Sequence, residues 1–155
     1  MKIICQTKNP FQTKKLGEIL AKEILKTKLK NNAFVLGLEG DFGGGKTTFL
    51  QGFAKGLGVK EKILSPTFII VKKFQIQDSG FQFRNFYHID CYRIQKPKEL
   101  LDLDFKKIIS DSRNIVAIEW VNRIQKILPK DTIMLKFDFI SQKTRKITIN
   151  SNFKP

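Results

Sequence analysis

The sequence predicts an α/β fold, and three observations carry that prediction. Ala33–Glu39 and Asn114–Glu119 are short apolar runs, the pattern of strands buried on both faces of a sheet. A glycine-dense turn leads out of the first run and into a helical pattern from about Lys46 to Leu57. Elsewhere, segments with helical period alternate with segments of strand character, the order expected of α/β layering.

Taken in order, Asn9 suits a helix N-cap, Pro10 the first helical position and Gln12 the third. Leu16, Ile19, Leu20, Ile24 and Leu29 recur at helical spacing and predict one buried face up to about Asn31. Phe34, Val35, Leu36 and Leu38 then form a buried strand. The helix that starts near Lys46 has Gly58 as its C-cap. Thr67–Gln77 and Phe81–Asp90 read as a hairpin turned by Asp78, Ser79 and Gly80. Pro97 opens a short helical region carrying Leu100, Leu101, Leu103, Ile108 and Ile109. After the strand 114–119, a weak helix near Val121–Leu128 leads to a final hairpin, Thr132–Ile140 with Arg145–Asn150. The last five residues, 151–155, are expected to fray.

Composition bounds the function. The 155 residues make one domain, 1–155, large enough to bury a core without disulfide or metal staples. With 41% hydrophobic and 28% charged residues, the balance is that of a soluble globular protein. Charge interrupts every apolar stretch before the roughly 18 residues of a membrane span, and the N-terminus lacks a long apolar segment, which predicts a cytoplasmic protein without membrane contact. Cys5 and Cys91 belong to no Cys/His cluster, so neither zinc nor a disulfide is signalled. The net charge of +15 attracts polyanions. Its 24 lysines outnumber its five arginines and are spread along the chain, which favours a solvated face over a specific RNA footprint.

The strongest chemical signal is Gly40, Asp41, Phe42, Gly43, Gly44, Gly45, Lys46 and Thr47, which match G-x-x-x-x-G-K-[ST] at every fixed position. A loop poor in Cβ atoms lets successive backbone N–H groups approach phosphate oxygens, and the following helix adds its positive end. In that arrangement Lys46 reaches the β- and γ-phosphates, the Thr47 hydroxyl ligates magnesium, and Thr48 sits near the α-phosphate. A glycine-rich turn that merely caps a helix is the bland alternative; the eight-residue match between strand and amphipathic helix argues against it. Hydrolysis needs carboxylates as well. Glu119 ends the strand 114–119 and Asp90 ends the strand containing Tyr87, His88 and Ile89, positions open to a metal-site acid or to a solvated strand-end acid. His88, the sole histidine, reads as a structural hydrogen-bonding residue. Trp120 reads as core, and Tyr92 with Arg93 is ambiguous.

Together these segments resemble the bacterial TsaE (YjeE) ATPases, which support synthesis of threonylcarbamoyladenosine in tRNA. The resemblance rests on GDFGGGKTTF at Gly40–Phe49, SPTF at Ser65–Phe68, HIDCYR at His88–Arg93 and IEW at Ile118–Trp120, and it covers nearly the whole chain. It implies a P-loop NTPase-like three-layer domain with a mixed, largely parallel central sheet. It implies ATP and Mg2+ as cofactors, with Thr47, Asp90 and Glu119 as metal-site residues, and Lys46, Asp90 and Glu119 as catalytic residues. It makes Thr67 part of a switch-type loop. It also brings the stretch Pro10–Thr13 to the adenine or ribose, and Arg145 to the position of a late basic residue of the site.

The function so implied is magnesium-dependent ATP hydrolysis that assists the transferase TsaD and its partner TsaB, weak in the isolated protein, with tRNA met indirectly or within that complex. Two rival readings use the same loop. A small-molecule kinase needs a lid and an acceptor pocket, for which 155 residues leave little room. A nucleotide-gated module binding RNA or protein with little turnover needs neither.

Overall fold

The computed structural model describes residues 1–41, 43–64, 70–77 and 80–151. The expectations for Phe42, for Ser65–Phe68 with Thr67, for the turn residues Asp78 and Ser79, and for 152–155 lie outside the described residues.

The strands are β1 (Lys2–Thr7), β2 (Phe34–Glu39), β3 (Val71–Gln75), β4 (Asn85–Asp90), β5 (Asn114–Glu119), β6 (Ile133–Phe139) and β7 (Arg145–Asn150), and they form one sheet in the order β1-β7-β6-β2-β5-β4-β3. Its centre, β4-β5-β2-β6, is parallel, and β3, β7 and β1 add antiparallel flanks. The expected mixed sheet with a largely parallel core is therefore present.

Helices α1 (Pro10–Leu25) and α2 (Lys46–Gly56) cover one face, and α3 (Pro97–Leu101), α4 (Phe105–Ser110) and a 3-10 segment (Val121–Ile127) cover the other. The alternation of strand side chains builds these three layers. Phe34, Leu36 and Leu38 of β2 and Ile115 and Ala117 of β5 pack under α1 and α2. Val35, Val116 and Ile118 turn the other way, against Leu100, Phe105 and Ile124. No helix among the described residues is long and apolar enough to cross a membrane.

Several elements differ from expectation for identifiable reasons. β1, a segment given no element from its sequence, pairs antiparallel with β7 as an exposed edge. Its half-exposed Ile3 and Ile4 obscure any alternation between core and solvent. At the start of α1, Asn9 Oδ1 accepts from Gln12 N at 2.9 Å, as the cap predicts. The helix ends at Leu25 rather than Asn31: the Thr27 hydroxyl donates to Ile24 O at 2.6 Å and takes a carbonyl that a further turn would use. Gly58, with φ +79, follows α2 as expected. The region after Pro97 is two helices, because Asp104 adopts φ 63 between them. The segment after Trp120 is 3-10 and kinks at Ile124, where φ is −128.

On the expected buried face of α1, Ile24 is buried and Leu16 and Leu20 pack against the core, but Ile19 is exposed; Thr13, Gly17 and Ala21 are buried as well, because small residues let α1 lie directly on α2. A Cβ at Gly52 would stand 1.9 Å from Lys14 O, a backbone atom that cannot swing aside. Gly52→Ala is therefore expected to force the helices apart and to destabilise by about 1–3 kcal/mol, the usual cost of overpacking. Urea denaturation of both proteins measures it, and an unchanged midpoint would refute the direct backbone packing.

Candidate functional site

The parallel register places Asp90 of β4 beside Glu119 of β5, and Glu119 beside Leu38 of β2, all at the carboxyl edge of the sheet. From the same edge, β2 runs into the glycine turn and then α2. Gly43 and Gly45 hold φ of +73 and +95, a conformation that L side chains rarely adopt, and Gly45 caps α2. The turn thereby aims the first N–H groups of α2 at the space in front of Asp90 and Glu119.

One pocket is lined by Gly43, Gly44, Gly45, Lys46, Thr47, Thr48, Asp90 and Glu119, joined by Tyr92, Trp120 and Arg145. The glycine-turn residues Gly43 to Thr48 and both expected acids thus meet there. Thr47 Oγ1 lies 3.5 Å from Glu119 Oε1, and the buried His88 and Glu119 meet at 2.7 Å, Nε2 to Oε2. Asp90 Oδ1 accepts from Tyr92 N at 2.9 Å, which sets the turn that leaves β4.

Lys46 is buried. Its ammonium donates to the carbonyls of Gly40 and Asp41 and lies 4.6 Å from the centre of the Trp120 ring. Burial pushes its pKa below the usual lysine value, against the opposing pull of the Glu119, Asp41 and Asp90 carboxylates. Gly40 and Asp41 do not line the pocket. They act on it through those two carbonyls and border a second recess behind Trp120. Trp120, read from sequence as core, packs partly buried against the core and also forms a wall of the pocket. Its φ of +55 turns the chain immediately after Glu119, and its ring packs against Tyr92 at 5.2 Å. The one signal for it in the sequence is its place in the IEW motif.

Pro10 and Thr13 line an adjoining recess with Gly45, Thr48 and Arg145. The Thr13 hydroxyl is already engaged with that of Thr7 at 2.7 Å, so Thr13 shapes this wall with its methyl group, 3.7 Å from where a Gly45 Cβ would stand. Thr7, absent from the sequence reading, anchors it. Arg145 donates to Gly43 O at 3.0 Å and to the carbonyls of Ser141, Gln142 and Thr144. It therefore ties the β6–β7 hairpin to the glycine turn as well as lining the pocket.

The donors Thr47, Asp90 and Glu119 are all oxygens, the set preferred by a hard cation that keeps several waters and borrows further oxygens from a bound ligand. No cluster of three or more His, Cys, Asp and Glu side chains suited to a metal occurs among the described residues. Between the two acids in sequence, Cys91 is fully buried, and burial beside Asp90 pushes its thiol up to about 12. Cys5 is partly exposed. Alkylation of the native protein near pH 8 is expected to modify Cys5 and to spare Cys91, whose thiolate is scarce and enclosed. Peptide mass mapping checks this, and rapid labelling of Cys91 would contradict its burial beneath the site.

Comparison with known proteins places this geometry in context. Residues 7–147 match the family model described as threonylcarbamoyl adenosine biosynthesis protein TsaE. A tRNA threonylcarbamoyladenosine biosynthesis protein TsaE from Bacillus subtilis (strain 168) is 33% identical over 146 residues, covering 94% of this chain and 84% of that protein. A protein of the same name from Rickettsia felis is 33% identical over 145 residues, covering 93% and 77%. The crystal structure of Bacillus subtilis YdiB superposes with a TM-score of 0.70 at 27% identity, over 97% of this chain and 86% of that one.

Proposed function

The chain belongs to the TsaE family of threonylcarbamoyl adenosine biosynthesis proteins, and on that premise we propose that it is a magnesium-dependent ATP hydrolase of the cytoplasm that acts on the TsaB and TsaD transferase complex. The observation that carries this reading is the convergence of Thr47, Asp90 and Glu119 in front of a glycine turn and the N-terminus of α2.

In this reading the N–H groups of the turn and of early α2 surround the β-phosphate, and Lys46 leaves the Gly40 and Asp41 carbonyls to bridge β- and γ-phosphate oxygens. Thr47, Asp90 and Glu119 would hold magnesium, whose charge offsets the negative charge developing on the phosphate oxygens. Glu119 also orients the attacking water by accepting its hydrogen bond. Trp120 and Tyr92 wall the pocket and limit the entry of other water. Pro10, Thr13 and Arg145 border the recess on the nucleoside side.

Phosphate release from ATP, measured with and without a purified TsaB and TsaD pair, tests the reading. Stimulation by the pair is expected. Absence of release under both conditions would defeat hydrolysis, and labelled γ-phosphate recovered on a metabolite would support the kinase reading instead.

A further inference from the structure

The two oxygens of Glu119 have different neighbours. Oε2 lies 2.7 Å from His88 Nε2, while Oε1 lies 3.5 Å from the Thr47 hydroxyl at the mouth of the glycine turn. His88 is fully buried on β4, two residues before Asp90 and on the same face. Its register partner on β5 is Ala117, whose small side chain leaves room for the imidazole to reach along the sheet towards Glu119. The other ring nitrogen, Nδ1, is buried and meets no hydrogen-bond partner among the described residues.

That asymmetry specifies the tautomer. A carboxylate oxygen accepts, so Nε2 must carry the proton that fills the 2.7 Å contact. The alternative tautomer would bury an Nδ1–H donor without an acceptor among the described residues and set the Nε2 lone pair against a carboxylate, two separate costs. The terminal torsion of a glutamate is otherwise broad and close to two-fold, so an untethered carboxylate would rotate freely between equivalent poses.

We propose that His88 is a positioning residue: its Nε2–H holds Glu119 Oε2 and thereby directs Oε1 alone towards Thr47 and the phosphate loop. The effect on turnover rests on the ATPase reading above. The tautomer does not, because it belongs to the protein without nucleotide.

Two measurements therefore test the proposal. His88 is the only histidine of the chain, so a long-range 1H–15N correlation spectrum of the nucleotide-free protein reports one ring. A dominant Nε2–H tautomer is expected, and an Nδ1–H tautomer or an even mixture would overturn the proposal. For turnover with TsaB and TsaD, His88→Leu is expected to lower kcat by about 10–100-fold, the usual effect of removing such a supporting hydrogen bond, with ATP affinity held within about threefold. His88→Gln keeps an N–H donor near the same place and is expected to recover most of that loss. Equal impairment in His88→Gln and His88→Leu, or unimpaired kcat in His88→Leu, would overturn the proposal. If wild type releases no phosphate even with TsaB and TsaD, the ATPase reading falls, and the spectrum alone still decides the hydrogen bond. The spectrum also decides it if His88→Leu fails to fold.

Discussion

Glu119→Gln is expected to lower ATP hydrolysis by about 10²–10³-fold, the cost of losing one preorganised charge contact in a transition state. The substitution keeps volume and hydrogen bonding nearly constant. An amide oxygen can still accept from His88 Nε2, which turns the amide NH2 towards Thr47, where a carboxylate oxygen now stands. A donor there repels a cation and cannot accept from water. Nucleotide affinity should change little, because most phosphate contacts come from the glycine turn and Lys46. Glu119→Ala is the poorer experiment, since it would leave both nitrogens of a fully buried imidazole without partners among the described residues and destabilise by about 1–3 kcal/mol. Single-turnover phosphate release, set beside a nucleotide titration, separates chemistry from binding. Wild-type turnover in Glu119→Gln would remove Glu119 from the reaction. Asp90→Asn is expected to act in the same direction, and its amide oxygen can still accept from Tyr92 N.

Lys46→Ala is expected to act on the other quantity. Charged hydrogen bonds contribute about 1.5–3 kcal/mol each, so ATP affinity should fall by roughly 10–100-fold. The fold should tolerate the change, because the buried ammonium is costly to desolvate, as its lowered pKa indicates, and its protein acceptors are two main-chain carbonyls. Calorimetric titration of Mg-ATP into both proteins checks this. Unchanged affinity would mean that Lys46 stays on Gly40 and Asp41 when nucleotide binds, and would count against the phosphate-loop assignment.

Much of the candidate site is legible in the sequence. The pattern 40–47 is contiguous, and its strand and helix neighbours obey local rules, so Gly43–Thr48 could be assigned from spacing alone. Asp90 and Glu119 are visible as acids ending apolar strands, but spacing cannot show that two strands 29 residues apart are neighbours in register; the resemblance only groups the two acids at one site, and the pairing of β4 with β5 sets them side by side. Less was readable at the margins. β1 has no clear alternation, α1 stops early at a threonine that competes for its carbonyls, and Gly17 and Ala21 set its close approach to α2 beside the larger apolar residues of the same face.

Local chemistry was enough to identify the glycine turn between β2 and α2, the order along the chain of the strands and helices around it, and the acids that end β4 and β5. Such features depend on residues close together in the chain. Distances across the sheet settled the rest: His88 as the partner of Glu119, Trp120 as a wall beside Lys46, and Arg145 as a tie to Gly43 over 102 residues of sequence. Those contacts depend on strand register, on which side chains share a face, and on one left-handed residue after β5, and these take their values only when separate segments compete for the same buried space.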